Sequence, residues 1–98
     1  MKKALTKRQV ASALKKLPDW TLNKAGTQIA RTFSFETHVD ALVFIARITV
    51  HAEVLKHHPE VVFTHQKVKI KLMTHDADNQ LTQLDIDVAK RIDAAYGG

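Results

Sequence analysis

Between Thr37 and Lys56 the apolar residues fall into two sets, each with helical spacing. Ala41, Phe44, Ile45, Ile48, Ala52 and Leu55 share one face at a 3.6-residue period, while Val39, Val43, Val50 and Val54 lie on roughly the opposite face. The segment is rich in β-branched residues, which favour strands, so it is periodicity and not propensity that predicts a helix over about 37–56. One apolar face can cover a sheet. A second on the same helix needs another cover, and a helix of a partner subunit is the economical candidate.

Three segments open with a threonine followed three residues later by a side chain able to reach back: Thr6 with Gln9, Thr37 with Asp40 and Thr82 with Asp85. Such a pair satisfies amide groups that the first helical turn leaves unbonded. Helices are accordingly predicted over about 6–16, with Val10, Ala13, Leu14 and Leu17 on one side, and over about 82–95, with Leu84, Val88, Ile92 and Ala95 on one stripe. Pro18 ends the first. Trp20–Leu22 and Thr27–Phe35 read as a hairpin around the turn-forming Asn23–Gly26, although Arg31 interrupts the apolar row of Ile29, Phe33 and Phe35. Residues 61–64 and 68–73 read as a second pair, with Val68, Ile70 and Leu72 facing in and Lys67, Lys69 and Lys71 facing out. The element order α-β-β-α-β-β-α predicts an α+β fold, a four-stranded antiparallel sheet with three helices on one face.

Length and composition narrow the chemistry. A chain of 98 residues suits one domain spanning 1–98, with no apolar-poor stretch to serve as a linker. The lack of cysteine excludes disulfides, thiolate metal sites and cysteine nucleophiles. Lys7, Arg8 and Gln9 interrupt the region after the basic Met1–Lys3 start where a secretory leader would be apolar, and no apolar run is long enough for a membrane span. A cytoplasmic protein is expected. The net charge of +5 suits an acidic partner, but the lysine row on the strand carries no aromatic stacking platform, which argues against nucleic acid.

Five of the six histidines fall between positions 51 and 75, which makes them the compositional feature to explain. His57 lies one helical turn after Glu53, within reach of its carboxylate, and His58 follows directly. Pro59 then forces the chain out of the helix, which holds both rings at an element boundary. His75 ends the last strand, so in an antiparallel sheet the three imidazoles can converge. Imidazoles move protons near neutral pH, and two or three around one ligand can protonate a leaving hydroxyl while removing a proton elsewhere. A metal site of imidazoles with Glu53 and Asp76 is the competing reading, but adjacent histidines seldom bind one ion together and no His-Glu-x-x-His spacing is present. Lys56, His57 and His58 also suit the end of a helix dipole. No nucleophile motif and no glycine-rich phosphate loop occurs.

Glu53-x-x-x-His57-His58-Pro59, His75 within Thr74-His75-Asp76-Ala77, and Asp85 within Leu81-Thr82-x-x-Asp85 together resemble the signature of the pterin-4a-carbinolamine dehydratases, in residue type and in spacing. Trp20, in Leu17-Pro18-Asp19-Trp20, resembles a tryptophan that these proteins carry shortly after their first helix. The resemblance covers nearly the whole chain. It implies dehydration of 4a-hydroxytetrahydropterin, left by an aromatic amino acid hydroxylase, to quinonoid dihydropterin. It also implies His57 and His75 as the principal acid/base groups, their individual roles left open, His58 as a binding and orienting group, and Glu53 as a partner of His57. Trp20 and Asp85 complete the surroundings, no metal or organic cofactor is needed, and a homodimer or homotetramer is expected. Asp85 also reads as the capping partner of Thr82, and Trp20 as a core anchor.

The chain departs from that signature at His65, where the family usually has an aromatic ten positions before its last histidine, a change expected to alter the pocket wall. Val61 or Val62 stands where another aromatic is common, and Ala77–Leu81 replaces a glycine-containing turn. A second class of function is therefore a family-like scaffold acting as a binding or assembly protein, as in relatives that partner a transcription factor or assist Rubisco assembly in carboxysomes. The basic row of Lys67, Lys69 and Lys71 is the surface expected to meet an acidic protein partner.

Overall fold

A computed structural model describes residues 3–97; Met1, Lys2 and Gly98, and with them the start of the basic N-terminal stretch, lie outside the described residues. Helix α1 (Lys7–Leu14) begins in a complete capping box, with Gln9 N–H donating to Thr6 Oγ1 at 3.1 Å and Thr6 N–H donating to Gln9 Oε1 at 2.9 Å. It ends two residues before the predicted boundary, because turn-type hydrogen bonds from Lys16 and Leu17 to Ala13 and Leu14 tighten the chain ahead of Pro18. Strands β1 (Thr21–Leu22) and β2 (Ile29–Ser34) form the expected hairpin. Asn23 Oδ1 organises its turn by accepting from Thr27 N–H and Gln28 N–H, and Gly26 takes a left-handed φ of 73°.

Helix α2 (His38–Leu55) starts where Thr37 Oγ1 accepts from Asp40 N–H, so only the threonine half of that predicted cap forms. Ala41, Phe44, Ile48 and Ala52 are buried, while Val39, Val50 and Val54 are more than 60% exposed, as the two-faced periodicity predicts. After α2 come β3 (Glu60–Thr64), β4 (Lys67–Leu72), a short 3-10 turn (His75–Ala77) and α3 (Gln83–Gly97). Among the described residues no helix is long and apolar enough to cross a membrane.

The antiparallel sheet has the order β1-β2-β4-β3. Ile29, Arg31 and Phe33 pair with Leu72, Ile70 and Val68 on the face turned to the helices; Ala30, Thr32 and Ser34 pair with Lys71, Lys69 and Lys67 on the other. Val68, Ile70 and Leu72 are fully buried, so the strict alternation read from β4 is the alternation of core and solvent. Because β4 lies beside β3 and runs against it, the residues entering β3 and those leaving β4 are at one end of the sheet. That places the His57–Pro59 segment next to Met73–Asp76.

Arg31 belongs to the core face without breaking it. Its Nη1 donates to Asp93 Oδ1 at 2.8 Å, its guanidinium lies 4.4 Å from the Phe33 ring centroid, and Tyr96 flanks it at 5.3 Å. The Trp20 indole N–H donates to the same Asp93 oxygen at 2.8 Å. A charge on an otherwise apolar row is thus neutralised by a carboxylate from α3 and covered by aromatic rings.

Candidate active site

The end of α2 aims the histidines. Lys56 adopts the left-handed conformation (φ 52°), and His57 N–H donates back to Ala52 C=O at 3.0 Å, closing the last turn. The backbone therefore reverses direction one residue before His57, and helical spacing no longer relates His57 to Glu53. The expected Glu53–His57 pair does not form. Glu53 Oε1 instead lies 2.5 Å from His58 Nε2, an exposed contact, while His57 turns inward and is 7% exposed.

Inside the domain His57 meets Asp85. Its Nε2 lies 2.5 Å from Asp85 Oδ1, and the Asp85 carboxylate is completely buried. Asp85 Oδ2 accepts from Thr74 Oγ1–H at 2.8 Å and from Thr82 N–H at 2.9 Å. Thr74 and Thr82 also join their hydroxyls at 2.7 Å. With Oδ2 occupied by two donors, Oδ1 accepts from His57 Nε2–H, which fixes the ring in the tautomer protonated on Nε2. His57 Nδ1 keeps its lone pair, has no protein partner among the described residues and is not sealed from solvent. Asp85 thus serves both readings made of it: it is the acidic half of the Thr82 cap and the partner of a candidate catalytic histidine.

His57, His58, His75 and Asp76 line one cleft of about 220 Å³ with Lys56, Met73 and Thr74. A smaller recess of about 40 Å³ adjoins it, sharing His58, Met73 and His75 and adding Gln28, Glu60 and Lys71. His75 Nδ1 donates to Asn79 Oδ1 at 2.7 Å, which leaves Nε2 as the nitrogen open to exchange a proton. Asn79 and Asp78 both have positive φ (58° and 55°), conformations these residue types tolerate, and they bend the chain after the 3-10 turn. Pro59 separates the cleft residue His58 from β3 and does not itself line the cleft.

Two sequence expectations change here. Trp20 is 5% exposed, bonded to Asp93 and edge-on to Phe33 at 6.2 Å; it does not line the cleft, because β1 is the sheet edge farthest from β3. His65 occupies the β3–β4 turn with φ 53°, at the end of the hairpin opposite the cleft and about 20 Å along β4 from His75. There it faces His38, whose ring stacks on Phe63 at 4.6 Å, so within this chain it forms no part of the wall. Thr74, Thr82 and Asn79 were not legible as site residues. Thr74 and Thr82 stood in the signature only as neighbours of His75 and Asp85, and the Thr82–Asp85 spacing reads as a helix cap.

The sequence profile of the pterin 4 alpha carbinolamine dehydratase family matches residues 3–95. This chain belongs to that family. It is 40% identical over 89 residues to a provisionally named pterin-4-alpha-carbinolamine dehydratase of Rhizobium meliloti, an overlap of 91% of this chain and 85% of the relative. A crystal structure from Brucella melitensis, described as a transcriptional coactivator/pterin dehydratase, superposes with a TM-score of 0.90 at 34% identity, covering 96% of this chain and 99% of that one. A pterin dehydratase-like protein described as a RuBisCO assembly factor in the alpha-carboxysome has a TM-score of 0.70 at 21% identity, covering 82% of this chain and 92% of that one, and shares the fold.

Proposed function

We propose that the chain dehydrates 4a-hydroxytetrahydropterin to quinonoid dihydropterin, with His57 as base and His75 as acid. The observation that carries the proposal is the His57–Asp85 pair: a buried carboxylate holds His57 at 2.5 Å beside a cleft that His58 and His75 also line. The reaction breaks the C4a–O bond, removes a ring N–H proton and releases water, so it needs one group to accept a proton and another to give one. His57 Nδ1, its lone pair fixed by the Asp85 contact, takes the ring proton. His75, in its imidazolium form, protonates the departing hydroxyl from the exposed side, where solvent restores its proton. His58, held by Glu53, orients the ring system.

The test is the rate of dehydration of a freshly generated 4a-hydroxypterin, followed by absorbance in stopped flow above the spontaneous rate. His57→Ala and His75→Ala are each expected to lose about 10²–10⁴-fold, while His38→Ala, on the far side of the hairpin, stays near wild type. A wild-type rate equal to the spontaneous one removes the proposal. Equal small losses in all three variants remove the assigned roles.

The apolar stripe of α2 supports a second part of the reading, that the chain works as a homo-oligomer. Val39, Leu42, Val43, Val50 and Val54 are each at least 45% exposed along one helix, a surface that a second copy would cover. The names of the Brucella and carboxysomal proteins raise a non-catalytic use of the scaffold, in which the assembly binds an acidic protein through the lysine row of β4. Lys71 is paired with Glu60 at 3.5 Å, which leaves Lys67 and Lys69 as the unpaired cations of that row among the described residues.

A further inference from the structure

A larger cleft than the one that holds the histidines lies elsewhere in the domain. It lies between the start of α1 and the β1–β2 hairpin, encloses about 450 Å³, and shares no lining residue with the histidine cleft. That volume is in the range of small-molecule sites. Its apolar part is made by Leu5, Val10, Ala11 and Leu22, the last left 39% exposed on an edge strand. Lys7 and Lys24 flank it from opposite elements, no carboxylate lines it, and neither lysine has an acidic partner among the described residues. By contrast, the cleft of about 430 Å³ beside Tyr96 sets Arg47 against Glu36 and Asp40 and so has no charge preference of one sign.

Both walls are held in place without a ligand. The hairpin wall is fixed by Asn23, which accepts from Thr27 N–H and Gln28 N–H and donates to Thr27 Oγ1. The opposite wall is fixed by the Thr6–Gln9 capping box and by Leu5 N–H donating to Leu81 C=O at 2.8 Å, which ties it to the segment carrying Gln80. A prearranged concave apolar surface with two unpaired cations at its margin selects an amphipathic anion, since binding costs little ordering of the protein.

We propose that this cleft is a second binding site, separate from the histidine cleft, for a small organic monoanion with a flat apolar body. The apolar body sits on Leu5, Val10 and Leu22, and the anionic group lies between Lys7 and Lys24, with Gln80 and Thr27 as polar neighbours. The site requires charge and shape together, so a neutral isostere is a weaker ligand.

Titration of ¹⁵N-labelled full-length protein with 2-naphthoate and with 2-naphthamide tests this. Naphthoate is expected to bind with Kd of about 10⁻⁴ M, shifting amide signals of residues 5–11, 22–27 and 80, and naphthamide about tenfold more weakly. Lys7→Gln/Lys24→Gln should abolish the difference between the two probes, and Ala11→Phe, at an exposed lining position, should block both while leaving the thermal midpoint within a few degrees of wild type. Equal binding of the two probes, naphthoate affinity unchanged in the lysine double variant, shifts centred on the histidine cleft, or no saturable binding up to millimolar concentration would each overturn the proposal. The readout does not involve dehydration, so it stands or falls independently of that activity.

Discussion

Replacing Asp85 with asparagine exchanges one oxygen for an NH₂ group at the best-connected position of the site. The carboxylate accepts three hydrogen bonds: from Thr82 N–H, from Thr74 Oγ1–H and from His57 Nε2–H. An asparagine has one acceptor oxygen, and Thr82 N–H can only donate, so the favourable rotamer keeps the oxygen on the Thr82 and Thr74 side. The NH₂ then faces His57 Nε2, which must become the acceptor. His57 shifts its proton to Nδ1, the nitrogen proposed to receive the substrate proton.

The expected consequence is a large loss of rate with a moderate loss of stability. A catalytic histidine held in the wrong tautomer by an Asp→Asn change has lost about 10⁴-fold in a serine protease, and about 10²–10⁴-fold is the range for a positioned base. Bonds to an ionised acceptor contribute about 1 kcal/mol more than neutral ones, so up to three such losses give about 1–3 kcal/mol, or about 4–8 °C in thermal midpoint for each 1 kcal/mol. Stopped-flow dehydration supplies the rate, calorimetry the midpoint, and ¹⁵N shifts of the His57 ring report the tautomer directly. An Asp85→Asn protein that keeps its rate within threefold while the ring signals show proton transfer to Nδ1 would refute the reasoning. In a His57→Ala background the same change should cost little further activity, because the two residues act as one unit.

Three other outcomes follow from the packing. Arg31→Met removes the close ion pair to Asp93, a looser one to Asp19 at 3.6 Å and two ring contacts, and leaves Asp93 with only the Trp20 donor among the described residues, which should cost about 2–3 kcal/mol in urea unfolding; a change below 0.5 kcal/mol would mean that solvent replaces the guanidinium. Val50→Lys/Val54→Lys charges two positions that are 62% and 61% exposed on α2, so if the proposed homo-oligomer forms through this face, light scattering should show a smaller particle than wild type; an unchanged mass would remove this face as its interface. Lys56→Gly relieves a left-handed non-glycine residue and should raise stability by about 0.5–1 kcal/mol; a decrease would show that the Lys56 side chain contributes more than its backbone conformation costs.

The elements were legible because each depends on neighbours in sequence. Thr6 and Gln9 cap α1 as their spacing indicates, and Val68, Ile70 and Leu72 alternate with three lysines because the strand has solvent on one side. Convergence of the histidines was legible for the same reason, since the antiparallel β3–β4 hairpin brings the residues entering β3 and those leaving β4 to one end; the insertion of β4 between β2 and β3 is what no local pattern encodes. Partner choice was less legible still. Glu53 and His57 have the right helical spacing, yet one left-handed residue at Lys56 gives Glu53 to His58 and His57 to an aspartate 28 positions away. Arg31 looked like an interruption because its counter-charge, Asp93, lies 62 residues later. His65 occupies a signature position in the sequence, but the length of β4 carries it away from the cleft.

The held and the exposed parts of the site divide in a way that suits the proposed proton traffic. His57 is buried, and its partner is fixed by two threonines and by the cap of α3, so its lone pair has a constant direction. His58 and His75 are exposed and are steadied by surface partners, Glu53 and Asn79. A base that must meet one ring N–H gains from such rigidity, because orientation is settled before substrate arrives. An acid that gives up its proton at every turnover must recover it, and an exposed imidazole exchanges with water directly. Burying His75 as deeply as His57 would improve its aim while slowing its recharge. The same carboxylate that starts α3 therefore serves the buried half of the reaction, and the solvent-exchanging half is left to the loop between β4 and α3.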